Sequence, residues 1–152
     1  MTTPSQPAEP TPAGASPVVA LIDDDPSLYG PIRAVVEEAL GPAASVWQYL
    51  HGLSAVRELP ERRPELILLD MRLPDIDGLS VLKLLKGIPA LRGVPVVMLS
   101  AQSYWQMLSI ALDAGADSYV FKPFDFQTLV SVLREAWRRR AAAPRPSDPP
   151  ST

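Results

Sequence analysis

The stretch Leu66-Ile67-Leu68-Leu69-Asp70-Met71-Arg72-Leu73-Pro74-Asp75-Ile76-Asp77-Gly78 constrains this chain more than any other. An apolar run of strand length ends at an aspartate, and a Pro/Asp/Gly-rich turn begins at once. A run without polar alternation is buried on both faces, as in a parallel sheet. Asp70 therefore falls at the carboxyl end of a central strand, where open α/β sheets gather their ligands. A carboxylate held there on a rigid element is a candidate nucleophile, a candidate metal ligand, or both.

Three further runs share this character: Val18–Ile22, Val94–Leu99 and Tyr119–Phe121. A weaker one, Ser45–Leu50, fits an edge strand. Between them lie helical patterns. Ile32, Val35, Val36, Ala39 and Leu40 form one apolar stripe, and Leu129, Val132, Leu133, Ala136 and Trp137 repeat its spacing. Leu79, Leu82 and Leu85, then Met107, Ile110, Ala111 and Ala114, supply two more, and Ala55, Val56 and Leu59 a short one. Pro31 sits inside the first of these patterns, where beyond the first turn it would remove a backbone bond and bend the helix. Five strand–helix alternations predict a single three-layer, doubly wound α/β domain, with five parallel strands flanked by five helices. Right-handed crossovers bring the strand ends to one edge.

The remaining composition narrows the chemistry. The chain has 152 residues, no cysteine and one histidine, His51, which excludes a disulfide framework, a thiol nucleophile and a Cys- or His-rich metal centre. A net charge of −3 gives no general attraction to nucleic acid. No run approaches a membrane span, and no charged-then-apolar leader opens the sequence, so a cytoplasmic protein is expected. Prolines crowd both ends, five of the 18 within residues 1–17 and four within 144–150. Residues 1–16 and 142–152 are expected to be disordered Pro-rich tails around a domain of 17–141.

The residues just past each strand define the candidate site. Asp23-Asp24-Asp25-Pro26 comes after the first, Asp70 after the third, Ser100-Ala101 after the fourth and Lys122-Pro123 after the fifth. Clustered carboxylates repel unless a cation neutralises them. An all-oxygen set suits Mg²⁺ (Mn²⁺ as the substitute), a hard ion that accepts phosphate as a co-ligand. The spare carboxylate can attack phosphorus, with Lys122 and Ser100 balancing charge on the phosphoryl oxygens. Simpler roles suit the neighbours. Asp25 before Pro26 reads as a helix cap, and Asp75, Asp77 and Gly78 as turn and cap residues. Arg138-Arg139-Arg140 complements the end of the last helix, and His51 is an incidental loop residue.

Five elements in order, Asp23-Asp24-Asp25-Pro26, Asp70 with its Pro/Asp/Gly turn, Ser100-Ala101, Ala114-Gly115-Ala116-Asp117-Ser118-Tyr119 and Phe121-Lys122-Pro123-Phe124, resemble the receiver domain of the two-component response regulator family. The resemblance covers roughly residues 17–140 and implies a flavodoxin-like fold. It implies that Asp70 accepts a phosphoryl group from a phosphohistidine on a sensor histidine kinase or a histidine phosphotransfer protein. It further implies that Asp24 binds Mg²⁺ directly, with Asp23 acting through water and the Arg72 backbone carbonyl as a further ligand. Ser100 and Lys122 would contact the phosphoryl oxygens, Tyr119 would be the aromatic that moves with Ser100, and the Lys122–Pro123 peptide would be cis. Arg72 and Gln102 stand two residues beyond Asp70 and Ser100, where they would flank the path of attacking water and modulate dephosphorylation.

Tyr104-Trp105 at the start of the fourth helix either packs inward or lies exposed beside the switch, on a face between the fourth and fifth helices that could serve a homodimer or an unidentified downstream protein. The 11-residue tail after the last helix leads to the expectation of a stand-alone phosphoacceptor acting through such a surface. A phosphorylation-independent interaction module on the same fold is the alternative. An aspartyl-nucleophile phosphatase of the haloacid dehalogenase kind needs a second aspartate where Arg72 stands. A flavin module needs free amides where three aspartates stand.

Overall fold

In the computed structural model, residues 16–101 and 105–142 are described, and they form a five-stranded sheet in the order β2-β1-β3-β4-β5, parallel throughout. The strands are β1 (Val18–Ile22), β2 (Ser45–Tyr49), β3 (Leu66–Asp70), β4 (Val96–Ser100) and β5 (Ser118–Phe121). The helices are α1 (Tyr29–Leu40), α2 (Gly52–Arg62), α3 (Gly78–Lys86), α4 (Trp105–Asp113) and α5 (Phe126–Ala142), with one 3-10 turn (Pro26–Leu28) leading into α1 and another (Pro89–Leu91) between α3 and β4. The three-layer, doubly wound expectation holds, and β2 is an edge strand. The expected tails lie outside the described residues, apart from their inner ends.

Strand alternation divides the core in two. Val19 and Leu21 of β1, Leu66 and Leu68 of β3, and Val97 and Leu99 of β4 pack with Ile32, Val35 and Val36 of α1 and Leu129, Leu133 and Ala136 of α5. Ala20, Ile22, Ile67, Leu69, Val96 and Met98 face the other way, onto Ala55 and Leu59 of α2, Val81, Leu82 and Leu85 of α3, and Ala111 of α4. This is why β3 carries no polar residue until Asp70. Each fully buried aliphatic side chain contributes on the order of 1.5–3 kcal/mol.

Several strand ends differ from expectation: β2 stops at Tyr49 rather than Leu50, β3 and β4 run one residue further, to Asp70 and Ser100, and two strand starts move. β4 begins at Val96 rather than Val94, because the Val94 N–H closes a turn on the Leu91 carbonyl and Pro95 has no donor. The ladder starts where the Val96 N–H meets the Asp117 carboxylate at 2.9 Å. β5 begins one residue early, at Ser118, paired with Val97. Pro31 is the third residue of α1, within the first turn, where its missing N–H costs no intrahelical bond, so the anticipated loss does not arise.

The loop after β3 folds back on itself through Gly78. Its N–H donates to the Met71 carbonyl at 2.8 Å, and a Cβ at this position would lie 2.6 Å from the Met71 Cα. Only glycine lets α3 start so close to the strand end.

Candidate functional site

Asp23 comes directly after β1, Asp70 closes β3 and Lys122 comes directly after β5, and all three continue the strand parity that faces α1 and α5. The topology thus converts three distant stretches of sequence into one cluster. Lys122 Nζ lies 2.7 Å from Asp23 Oδ2 and 3.6 Å from Asp70 Oδ1. Carboxylate oxygens of Asp23, Asp24 and Asp70 lie within 4.8 Å of one another. Asp23 and Asp70 are buried, at 1% and 7% exposure, whereas Asp24 faces solvent. Ser100 is buried at the end of β4, on the strand beside Asp70.

Burial pushes the Asp70 carboxyl above its ordinary range. The Lys122 ammonium opposes that shift, the Asp23 carboxylate adds to it, and the Arg72 backbone N–H again lowers it. A buried carboxyl in this state is stabilised as an anion by added positive charge. Three carboxylates this close, two of them buried, give an all-oxygen donor set with an open, solvent-facing side at Asp24. That set fits a hard divalent ion such as Mg²⁺, which keeps part of its hydration shell.

The acidic loop is held from several directions. The Asp23 N–H donates to the Tyr49 carbonyl at 3.0 Å, and Asp23 Oδ1 accepts the Asp25 N–H at 2.9 Å. Asp25 caps the 3-10 turn through the Ser27 N–H, with Pro26 just inside, as its position predicts. Gln48 of β2 donates from Nε2 to the carbonyls of Asp23 and Asp25, at 2.9 and 3.0 Å. Sequence reasoning missed Gln48. The signal was an amide on the strand face shared with buried Val46, where alternation would place an apolar residue.

Asp77 caps α3 by accepting the Ser80 N–H at 2.9 Å. Asp75 has a longer reach than a turn residue, because its two carboxylate oxygens accept the Gly52 and Leu53 N–H groups at the start of α2, both at 2.9 Å. His51, at the helix cap, makes no such bond. Arg72 is exposed and lines a groove of about 540 Å³ with Leu73, Ile76, Leu79 and Met107. Tyr119 is half-buried on β5, its ring tilted against Phe121 with centroids 5.3 Å apart. The Lys122–Pro123 peptide is cis, as the resemblance implies. Gln102, Tyr104 and the Trp105 side chain, each the subject of an expectation, lie outside the described residues.

The sequence model of the response regulator receiver domain family matches residues 19–134. The DNA-binding response regulator MtrA of Mycolicibacterium smegmatis is 38% identical over 126 residues, which are 83% of this chain and 53% of that protein. The transcriptional regulatory protein PrrA of Mycobacterium leprae is 36% identical over 129 residues, with 84% and 53% covered. The chain thus spans about half the length of the curated relatives it matches. The receiver domain of a sensor histidine kinase from Pseudomonas aeruginosa, solved with a magnesium ion in its active site cleft, superimposes with a TM-score of 0.71 at 28% identity, covering 82% of this chain and 99% of that one. A chemotaxis response regulator of Vibrio cholerae, at 21% identity and a TM-score of 0.72, shares the fold over 80% of this chain and 99% of its own.

Proposed function

Because the chain belongs to the response regulator receiver domain family of two-component signalling, we propose that Asp70 is its phosphoacceptor and that the domain works as a phosphorylation switch. An Asp70 oxygen attacks the phosphorus of a phosphohistidine on a histidine kinase or phosphotransfer protein. The P–N bond breaks, the imidazole leaves with its electron pair, and an acyl phosphate remains on Asp70. The observation that supports this reading is the Asp70 carboxylate at a strand end, 3.6 Å from Lys122 Nζ and beside two further carboxylates.

Asp23, Asp24, Asp70 and the Arg72 carbonyl are the proposed Mg²⁺ ligands, Asp23 through water. Bound there, Mg²⁺ (or Mn²⁺) would offset the carboxylates and the incoming phosphoryl charge. The chain's own residues do the rest. Asp23 keeps the Lys122 ammonium at the site, from where it can follow the phosphoryl oxygens. The buried Ser100 hydroxyl offers a donor on the other side. Ser100 moving toward the phosphoryl group would free space for Tyr119 to turn inward. The surface around Tyr119, between α4 and α5, would then change for a downstream protein or a second copy of the chain. Arg72 borders the path of attacking water and lengthens the life of the acyl phosphate.

The test is intact mass after incubation with acetyl phosphate, with and without Mg²⁺, for the parent and Asp70→Asn. A single phosphoryl adduct that needs both Mg²⁺ and Asp70 is the expected result. No adduct from acetyl phosphate or from any histidine kinase tried would sink the proposal and favour an interaction module that works without phosphate.

A further inference from the structure

Resting on the proposed metal site, we infer that Gln48 is a positioning residue, which sets the direction of the Asp24 carboxylate from the neighbouring edge strand. Asp23 and Asp70 have side-chain partners of their own, through Lys122 and the Asp25 and Arg72 amides. Asp24 differs. Among the described residues no hydrogen bond or ion pair holds its exposed carboxylate, so backbone geometry alone aims it.

Among the bonds that hold this backbone, one side-chain nitrogen spans both sides of Asp24. Gln48 Nε2 donates to the Asp23 carbonyl at 2.9 Å and to the Asp25 carbonyl at 3.0 Å. These carbonyls belong to the peptide planes on either side of the Asp24–Asp25 pair. Holding both planes, together with the Asp25 N–H on Asp23 Oδ1 between them, narrows the dihedrals of Asp24 and with them the direction of its Cα–Cβ vector. β2 is a firm anchor for this contact, since Gln48 is paired with Leu21 and the next residue, Tyr49, is buried and accepts the Asp23 N–H. Removing the amide leaves the Asp23 carbonyl to water and the Asp25 carbonyl with the Leu28 N–H alone, and loosens the tie between the loop and β2 so that Asp24 can turn from the other two carboxylates. Outer residues that orient metal ligands typically change affinity by about 10–100-fold when lost.

The test measures Mg²⁺ affinity of the full chain by titration, for Gln48→Met and for the shorter Gln48→Leu, each alone and combined with Asp24→Asn. Gln48 is half-buried on an edge, and unfolding curves without Mg²⁺ verify that each variant is folded. The expected result is an affinity lowered about tenfold by either Gln48 change, with no further loss once Asp24 is already Asn. Labelling by acetyl phosphate should slow at low Mg²⁺ and return to the parent rate at saturation, a split that general destabilisation would not give. Parent-like affinity in both folded Gln48 variants, with Asp24→Asn still weakening binding, would overturn the role of Gln48 alone. An unaltered affinity in Asp24→Asn itself would overturn the metal site, and this inference with it.

Discussion

Replacing Lys122 by methionine tests the electrostatic account of the cluster directly, because the stem is kept and only the ammonium is lost. At an effective dielectric constant of about 20, the attractions at 2.7 and 3.6 Å amount to about 6 and 5 kcal/mol. The carboxylate oxygens, no more than 4.8 Å from each other, repel by at least about 3 kcal/mol per pair on the same scale. Burial of two carboxylates consumes much of the remainder. Breaking a buried pair typically costs about 3–5 kcal/mol, and since Lys122 retains some access to water we expect about 3 kcal/mol at neutral pH. The assay is urea unfolding with Mg²⁺ removed and then restored.

Two accompanying effects arise from the same charges. Burial already raises the Asp70 carboxyl and the Lys122 ammonium opposes that rise, so without Lys122 Asp70 binds its proton more readily folded than unfolded and the deficit should shrink as pH falls. The ammonium and a divalent ion neutralise the same oxygens, so the variant should bind Mg²⁺ more tightly than the parent and regain most of its stability when the site fills. Stability without Mg²⁺ equal to the parent, or Mg²⁺ affinity no higher, would refute the reasoning.

Gly78→Ala should cost about 2–3 kcal/mol, because its Cβ meets strand backbone that cannot yield. Gly30→Ala, where a Cβ meets nothing within 4 Å, should stabilise α1 by about 0.5–1 kcal/mol, and thermal unfolding of the pair compares them. The Ser80 N–H holds the Asp77 carboxyl below its ordinary value. The cap's contribution is therefore complete above pH of about 4 and fades as pH falls through the folded pKa. Asp77→Asn should flatten the acid limb of the stability–pH curve, and an unchanged limb would refute the cap's share in it. Arg72→Ala, labelled with acetyl phosphate and then freed of donor, should lose its phosphoryl group faster than the parent. An equal decay would end the case for Arg72 as a shield.

The sequence carried the sheet because its strands are buried on both faces. Leu66–Leu69 could not be mistaken for an amphipathic element, and the residues closing such runs had to meet at one edge. Asp70, Asp23 and Lys122 were legible for that reason, since strand ends are where topology brings distant residues together. The features hidden from sequence depend on pairing across elements. Gln48 is an unremarkable amide until β2 lies beside β1, and Asp75 looks like a local turn residue until α2 is placed next to the loop. The start of β4 was misplaced by two residues because Val94 is apolar and extended in character, while its N–H is committed to Leu91.

The contact of Asp75 with the Gly52 and Leu53 amides makes those two N–H groups natural reporters of the loop beyond Asp70. A proton hydrogen-bonded to a carboxylate resonates downfield and exchanges slowly, and both properties track the distance to the oxygen. Any rearrangement of the loop would therefore be broadcast to the start of α2. There it can be followed by nuclear magnetic resonance on the backbone amides of the intact chain, with no probe placed in the acidic cluster itself.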